Sequence, residues 1–307
     1  MTDDALVLGP LLRYVDETTA AVWVEVARRG VVSVVAGGRS FDDHTFTVHG
    51  HHYALVQVEG LAPATSTAYD VRVDGRVVWP APRSTYPPSR IRTLGPTRRQ
   101  RLLFGSCRTS VPHDREHNRT HGLDVLRAYA LRLPRMEESE WPDLVLFLGD
   151  QVYADETSEQ MQVFIAARRD IDQPPYQELK DYEEYAHLYQ LAWGDPANRW
   201  LLSTLPSAMI FDDHDIRDDW NTSRTWREQI NRVTWWRERV VGGLGSYWVY
   251  QHLGNLSPAE RAADPLWAEV RRAGRNGDAG SLVDDFVNRA DLDPAHARWS
   301  FHRDLGG

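Results

Sequence analysis

"DLVLFLGDQVYAD", residues 143–155, decides the fold. Its first part, "DLVLFLG" (143–149), is a continuous apolar run and not an alternating one. A strand that is apolar on both faces is one buried on both faces, as in a parallel sheet layered by helices. The remainder sets Asp150, Tyr153 and Asp155 directly after that strand. In open α/β sheets, functional groups collect at this carboxyl edge, where strands end and loops begin.

Two further segments repeat the pattern. "RLLFGS" (101–106) runs into "GSCR" with Cys107, and "SAMIFD" (207–212) runs into "FDDHDIRDDWN" with Asp213 and His214 at its tip. Between the first two strands, "GLDVLRAYALRL" (122–133) places Leu123, Leu126, Tyr129, Ala130 and Leu133 on one helical face. Strand, helix and strand in that order predict parallel pairing. "SRTWREQINRVTWWRERV" (223–240) predicts one long amphipathic helix, and 254–307 predict short helices and loops. The tryptophans between 193 and 248 are expected to pack helices onto the sheet, since large aromatics dominate core energetics.

Upstream the pattern is all-β. "AAVWVEVA" (20–27), "VVSVVAG" (31–37), "FTVHG" (46–50), "YALVQVE" (53–59) and "AYDVRV" (68–73) are short and rich in Val, Tyr and Trp. Asp74-Gly75 between two apolar runs predicts a tight hairpin. "GLAPATSTAYDVRV" resembles the corner of fibronectin type III-like modules, with two extra residues between Thr65 and Tyr69. The fold class expected is therefore two-domain. A fibronectin type III-like β-sandwich covers 1–95, with the proline-rich "WPAPRSTYPPSR" (79–90) as a stiff linker, and an α/β domain covers 96–307.

A chain of 307 residues, 42% hydrophobic, has the material for one or two cores. A net charge of -9 argues against a broad nucleic-acid-binding surface. No run reaches the roughly 18 to 20 apolar residues of a membrane span, and the acidic start "MTDDALVLGP" is unlike a signal peptide. The lone cysteine, Cys107, excludes an internal disulfide framework and fits a reducing compartment. Together these predict a cytoplasmic location with no membrane partner.

Asp212, Asp213, Asp215, Asp218 and Asp219 crowd one short stretch and repel one another unless a cation sits among them. An EF-hand fails: counted from Asp213, its sixth position is Asp218 where Gly is needed, and its twelfth is Arg224. Thiolate, phenolate and carboxylate suit a trivalent ion such as iron; carboxylates alone suit calcium, magnesium or manganese. Two ligand sets side by side fit a mixed two-metal site that clamps a phosphoryl group, with a histidine beside the leaving oxygen. Arg108 and Arg217 lie close in sequence to these positions and either hold phosphate or offset the aspartates. "HGHHY" (49–53) falls in the β part and is read as part of a turn there, not as a metal tract.

"GSC", "LGDQVYAD" and "FDDHDIRDDWN", in this order behind a small β-sandwich, closely resemble the PhoD-like (alkaline phosphatase D) branch of the metallophosphoesterases. Related purple acid phosphatases share the Gly-Asp-x-x-Tyr-Ala-Asp motif. The resemblance implies metal-dependent hydrolysis of phosphate esters, as a phosphomonoesterase or phosphodiesterase, on an iron-plus-calcium pair or other divalent ions. It implies that Cys107 and Tyr153 bind the iron-like ion, Asp150 bridges, Asp213 binds the second ion and His214 is catalytic. Asp218, Asp219 or Asn221 completes the second ion's shell. Such families add ligands from a Gly-Asp-Val-His-His segment, which these residues lack; His252, His296 and His302 stand in "YQHLG", "PAHAR" and "SFHRD". The α/β domain is thus expected to be incomplete at its C-terminus. The alternative is a non-catalytic fragment or an interaction protein.

Overall fold

The computed structural model describes residues 5–95, 99–293 and 295–305; the expected domain edges at Met1, Pro96 and Gly307 lie outside them. The chain opens with β1 (Leu6–Val15), β2 (Ala20–Val26), β3 (Val31–Ala36), β4 (Arg39–His44), β5 (Phe46–Val48), β6 (His51–Val58), β7 (Ser66–Val73), β8 (Arg76–Trp79) and β9 (Arg90–Arg92). They form two antiparallel sheets, β1-β2-β6-β5 and β4-β3-β7-β8, with β9 paired to β7. β3 alternates half-buried and buried residues, as a strand with one core face should. β2 is buried at every position, because its sheet is covered on both sides. The hairpin at Asp74-Gly75 is present, with φ of 48° and 81° at its two central residues.

Two expectations are corrected. The segment 79–90 is not a linker between domains, because it leaves β8 and returns in β9 to the same partner strand, β7. The Trp79 indole N–H donates to Ser89 Oγ at 2.9 Å and staples the loop shut. Nor is 223–240 one helix: Arg224–Ile230 and Trp236–Tyr247 are separate helices. In a straight helix Trp226 and Trp236 would stand about 15 Å apart along the axis. The break lets them meet edge to face at 5.4 Å between ring centroids.

The second half holds β10 (Leu102–Gly105), β11 (Leu144–Leu148) and β12 (Ser207–Ile210), all parallel in that order. Its main helices are α1 (Arg115–His121), α2 (Val125–Arg132), α3 (Glu159–Arg168), α4 (Tyr182–Trp193) and α5 (Pro196–Thr204) before β12. After it come α6 (Arg224–Ile230), α7 (Trp236–Tyr247), α8 (Leu253–Asn255), α9 (Pro258–Ala263), α10 (Pro265–Gly274) and α11 (Gly280–Leu292). A π-helical turn, Trp248–His252, joins α7 to α8. Trp193, Trp200, Trp236 and Trp248 are buried, in keeping with a packing role. No described helix is long and apolar enough to cross a membrane.

The two halves share buried polar contacts. Arg13 on β1 donates to Met209 Sδ (2.7 Å), the Gln251 carbonyl (2.7 Å) and Asn255 Oδ1 (3.0 Å). Two of the "HGHHY" histidines serve this junction: His49 pairs with Asp284, and His51 lies 2.8 Å from both Glu25 and Glu183. Burial lowers the His51 pKa, but the bonds to Glu183 and Glu25 outweigh it and raise the value to about 9. The unfolded chain binds this proton less tightly, so the contribution to stability is full below the ordinary value near 6.5 and fades as pH rises through about 9. Thermal melts from pH 6.5 to 9.5 are expected to show falling stability, on the order of 3 kcal/mol at most. His51→Gln should flatten that slope; an unchanged slope in the variant would contradict the assignment.

Candidate metal and phosphoester site

The three parallel strands deliver three loops to one edge of the sheet. Two of the turns adopt backbone that side chains rarely take, with φ of 54° at Cys107 and 49° at Asp150. Such strain is held only where surrounding bonds over-determine it. Here the bonds are mutual: Cys107 N–H donates to the Gly149 carbonyl, Arg108 N–H to the Asp150 carbonyl, and Ala154 N–H to the His214 carbonyl. Gly149, at φ 107°, lies so close to β12's end that an added Cβ would sit 2.5 Å from Asp212 Cβ. Only glycine permits that approach.

Asp215 locks the arrangement from beneath. Its buried carboxylate accepts the backbone N–H of Asp150 and of Asp212, both to Oδ2 at 2.9 Å. Burial pushes its pKa up to about 8, with the nearby Asp150 charge adding to the rise. The sequence carried no signal for this role, because Asp215 reads like its four neighbours.

Cys107, Asp150, Tyr153, Asp213 and His214 are brought to this edge. Cys107 Sγ donates to Asp150 Oδ2 at 3.2 Å, and the Tyr153 and His214 rings lie 4.5 Å apart. Asp150, Asp212 and Asp213 offer carboxylate oxygens within 4.8 Å of one another, and so do Asp213, Asp218 and Asp219. Asp212 belongs to the cluster although sequence reading gave it no role. Burial, followed by the charges of Asp212 and Asp213, raises the Asp150 pKa against the bond from Cys107. Burial likewise raises that of Tyr153, with Asp150 and Cys107 adding to it.

His214 is fixed by Asp155, which the sequence sets after β11 without a role. Asp155 lies 3.0 Å from His214 Nδ1 and also accepts the Asp218 N–H at 2.7 Å. An ionised carboxylate can only accept, so Nδ1 carries the proton in that bond. Burial lowers the His214 pKa, yet the hydrogen bond and charge of Asp155 outweigh it and the net shift is upward. Nε2 lies 3.6 Å from Asp218 Oδ1.

The side chains of three sequence candidates have other surroundings. Asn221 lines a surface cleft with Thr222, Arg224 and Asn231. The Arg108 guanidinium pairs with Asp124 at 2.8 Å and donates to the Ala192 carbonyl at 2.7 Å. Arg217 pairs with Glu178 at 3.3 Å. Each arginine therefore has a carboxylate partner outside the aspartate cluster. His252 is buried, and burial lowers its pKa to about 4.

The family model described as PhoD-like phosphatase matches residues 127–283, which include Asp150, Tyr153, Asp213 and His214 but not Cys107. A domain of unknown function, DUF7800, matches residues 3–91. No curated protein matches the chain. Among solved structures, that of PhoD is similar at 14% identity and a TM-score of 0.56, over 84% of this chain and 47% of that one. The chain thus spans about half the length of that structure. The type III pullulan hydrolase from Thermococcus kodakarensis matches at 9% identity over 69% of this chain and 41% of its own, with a TM-score of 0.21.

Proposed function

The chain belongs to the PhoD-like phosphatase family, and on that premise we propose that it hydrolyses phosphate esters at a metal site where β10, β11 and β12 end. What supports a cation there is Asp150 Oδ1, a buried oxygen with no hydrogen-bond partner among the described residues, inside a cluster of carboxylates. A buried anionic oxygen left unpaired is costly, and a metal ion satisfies it. Cys107, Asp150 and Tyr153 would hold one ion, suited to iron by its thiolate and phenolate. Asp213, with Asp218 or Asp219, would hold a second, suited to calcium or another divalent ion. Bound there, the ions supply positive charge for the phosphoryl oxygens and acidify water.

His214 supplies the proton chemistry. Asp155 holds its Nδ1 side, which leaves Nε2 to protonate the ester oxygen as the P–O bond breaks. Water adds to phosphorus, and the products are phosphate, or a monoester, and an alcohol. The β part, divided from the rest near residue 95 and fibronectin type III-like in our reading, serves as a flanking module. A phosphate-ester substrate, a cytoplasmic location and no nucleic-acid partner complete the proposal.

The test is elemental analysis of the dialysed chain, with a visible spectrum. About one equivalent of iron, with absorption from phenolate-to-iron charge transfer, is expected if Tyr153 ligates ferric iron. Stoichiometric ferric iron in a colourless protein would refute the Tyr153 role. Retention of no metal at all would favour the non-catalytic, binding reading.

A further inference from the structure

The underside of the site draws on residues far apart in the sequence. Asp215 Oδ2 holds the Asp150 and Asp212 amides, and its other oxygen, Oδ1, has Gln251 Nε2 at 3.4 Å. The same nitrogen donates to the Tyr189 hydroxyl of α4 at 2.9 Å. A side-chain amide nitrogen carries two protons, one for each of these acceptors. Asp215, Gln251 and Tyr189 are all buried.

Gln251 does not stand on a regular helix. It lies in the π-helical turn Trp248–His252, where the Leu253 N–H donates five residues back to the Trp248 carbonyl. Single π turns inside helices occur frequently at functional sites. This one is gripped twice by the β part. Arg13 of β1 donates to the Gln251 carbonyl at 2.7 Å and to Asn255 Oδ1 at 3.0 Å. The Tyr250 hydroxyl donates to Glu25 of β2 at 2.9 Å. Gly254 leaves room for the guanidinium, since a Cβ there would collide with Arg13 Nε. Arg13 is fully buried, and its partners Ser207, Met209, Gln251 and Asn255 are all neutral. A charge buried on neutral acceptors is costly. What its planar fork supplies is one fixed geometry for several acceptors.

We propose that Gln251 is a positioning residue for the site: seated by Arg13, it holds Asp215 and thereby sets where Asp150 and Asp212 stand. The path runs from β1 through the π turn to the ends of β11 and β12. The β part therefore governs how tightly the site closes on a cation. A residue that only filled space would leave the Asp150 and Asp212 amides as they are. The inference deepens the metal reading and rests on it, although the placing of the two loops is readable with no metal present.

The experiment reads amide hydrogen exchange by NMR in the full chain held in chelator. Manganese(II) is then titrated into the dialysed chain by calorimetry. Gln251→Met keeps the length of the side chain and removes its donor. It is expected to speed exchange at Asp150 and Asp212 at least tenfold, with buried Val34 of β3 unchanged, and to raise the manganese Kd at least tenfold. Arg13→Met should act in the same direction from outside the site. The double variant should lose no more than the larger single loss, because both substitutions act through one turn. Arg13→Lys, which keeps the charge but not the fork, serves if Arg13→Met does not fold. Unchanged exchange at Asp150 in Gln251→Met overturns the proposal. An equal rise at Val34 also overturns it, by reducing Gln251 to a contributor to global stability. So does manganese binding that Gln251→Met leaves intact. Faster exchange at Asp150 and Asp212 alone, in a chain whose wild type binds no manganese, upholds the positioning and refutes the metal reading instead.

Discussion

His214→Ala is expected to lower turnover of a phosphate ester by about 100- to 10,000-fold, the range for losing a positioned general acid, while bound metal stays nearly unchanged. The reason is geometric. His214 is held on Nδ1 by Asp155 and lies beside, not within, the groups of carboxylates that fit an ion. Removing its ring takes away a proton donor but none of those oxygens. Asp155→Asn separates positioning from chemistry: an amide can hold the ring by accepting from Nδ1, yet it does not stabilise imidazolium. A downward shift of the limb of the pH–rate profile assigned to His214 is expected, with a smaller loss than in His214→Ala. Equal loss of metal and activity in His214→Ala would make the histidine a ligand instead.

Asp215→Ala is the second large effect. The carboxylate accepts the backbone N–H groups of both Asp150 and Asp212, and it joins β11's end to β12's. Leaving the buried Asp150 donor unsatisfied costs about 1–3 kcal/mol, and the part-buried Asp212 N–H loses its bond as well, a sizeable part of the roughly 5–15 kcal/mol that holds a domain folded. Urea unfolding should show a loss of about 1–4 kcal/mol, together with loss of whatever metal the wild type retains. Asp215→Asn keeps an oxygen where Oδ2 now accepts both bonds and should recover most of the stability. If Asp215→Ala were as stable as wild type, the lacing of the two loops through this carboxylate would be wrong.

Much of the architecture was legible because it is local. Strand β11 announces itself as an unbroken apolar run, and Asp74-Gly75 fixes a hairpin through backbone angles that few residue pairs accept. The positions of Cys107, Asp150, Asp213 and His214 obey the same logic, since each comes directly after a strand of one parallel sheet. The proline-rich segment misled because proline forbids interior pairing only at its own position and does not fix where the chain goes next: Arg90–Arg92 returns to β7. The 223–240 segment misled because amphipathic spacing continues across a break, at which Trp226 and Trp236 come to meet.

The sequence by itself determined the three apolar strands of the second half, the hairpin at Asp74-Gly75, the residues at three strand ends and an excess of negative charge around them. Those properties depend on neighbours a few positions apart. Tertiary structure alone decided which aspartate is which: Asp215 is buried beneath two loops, Asp155, far away in sequence, orients His214, and Asp212 and Asp213 approach Asp150. It also decided that Arg108 and Arg217 pair with Asp124 and Glu178, outside the aspartate cluster. Burial and long-range partnership set the state of an ionisable group, and neither is written in the residue's own identity.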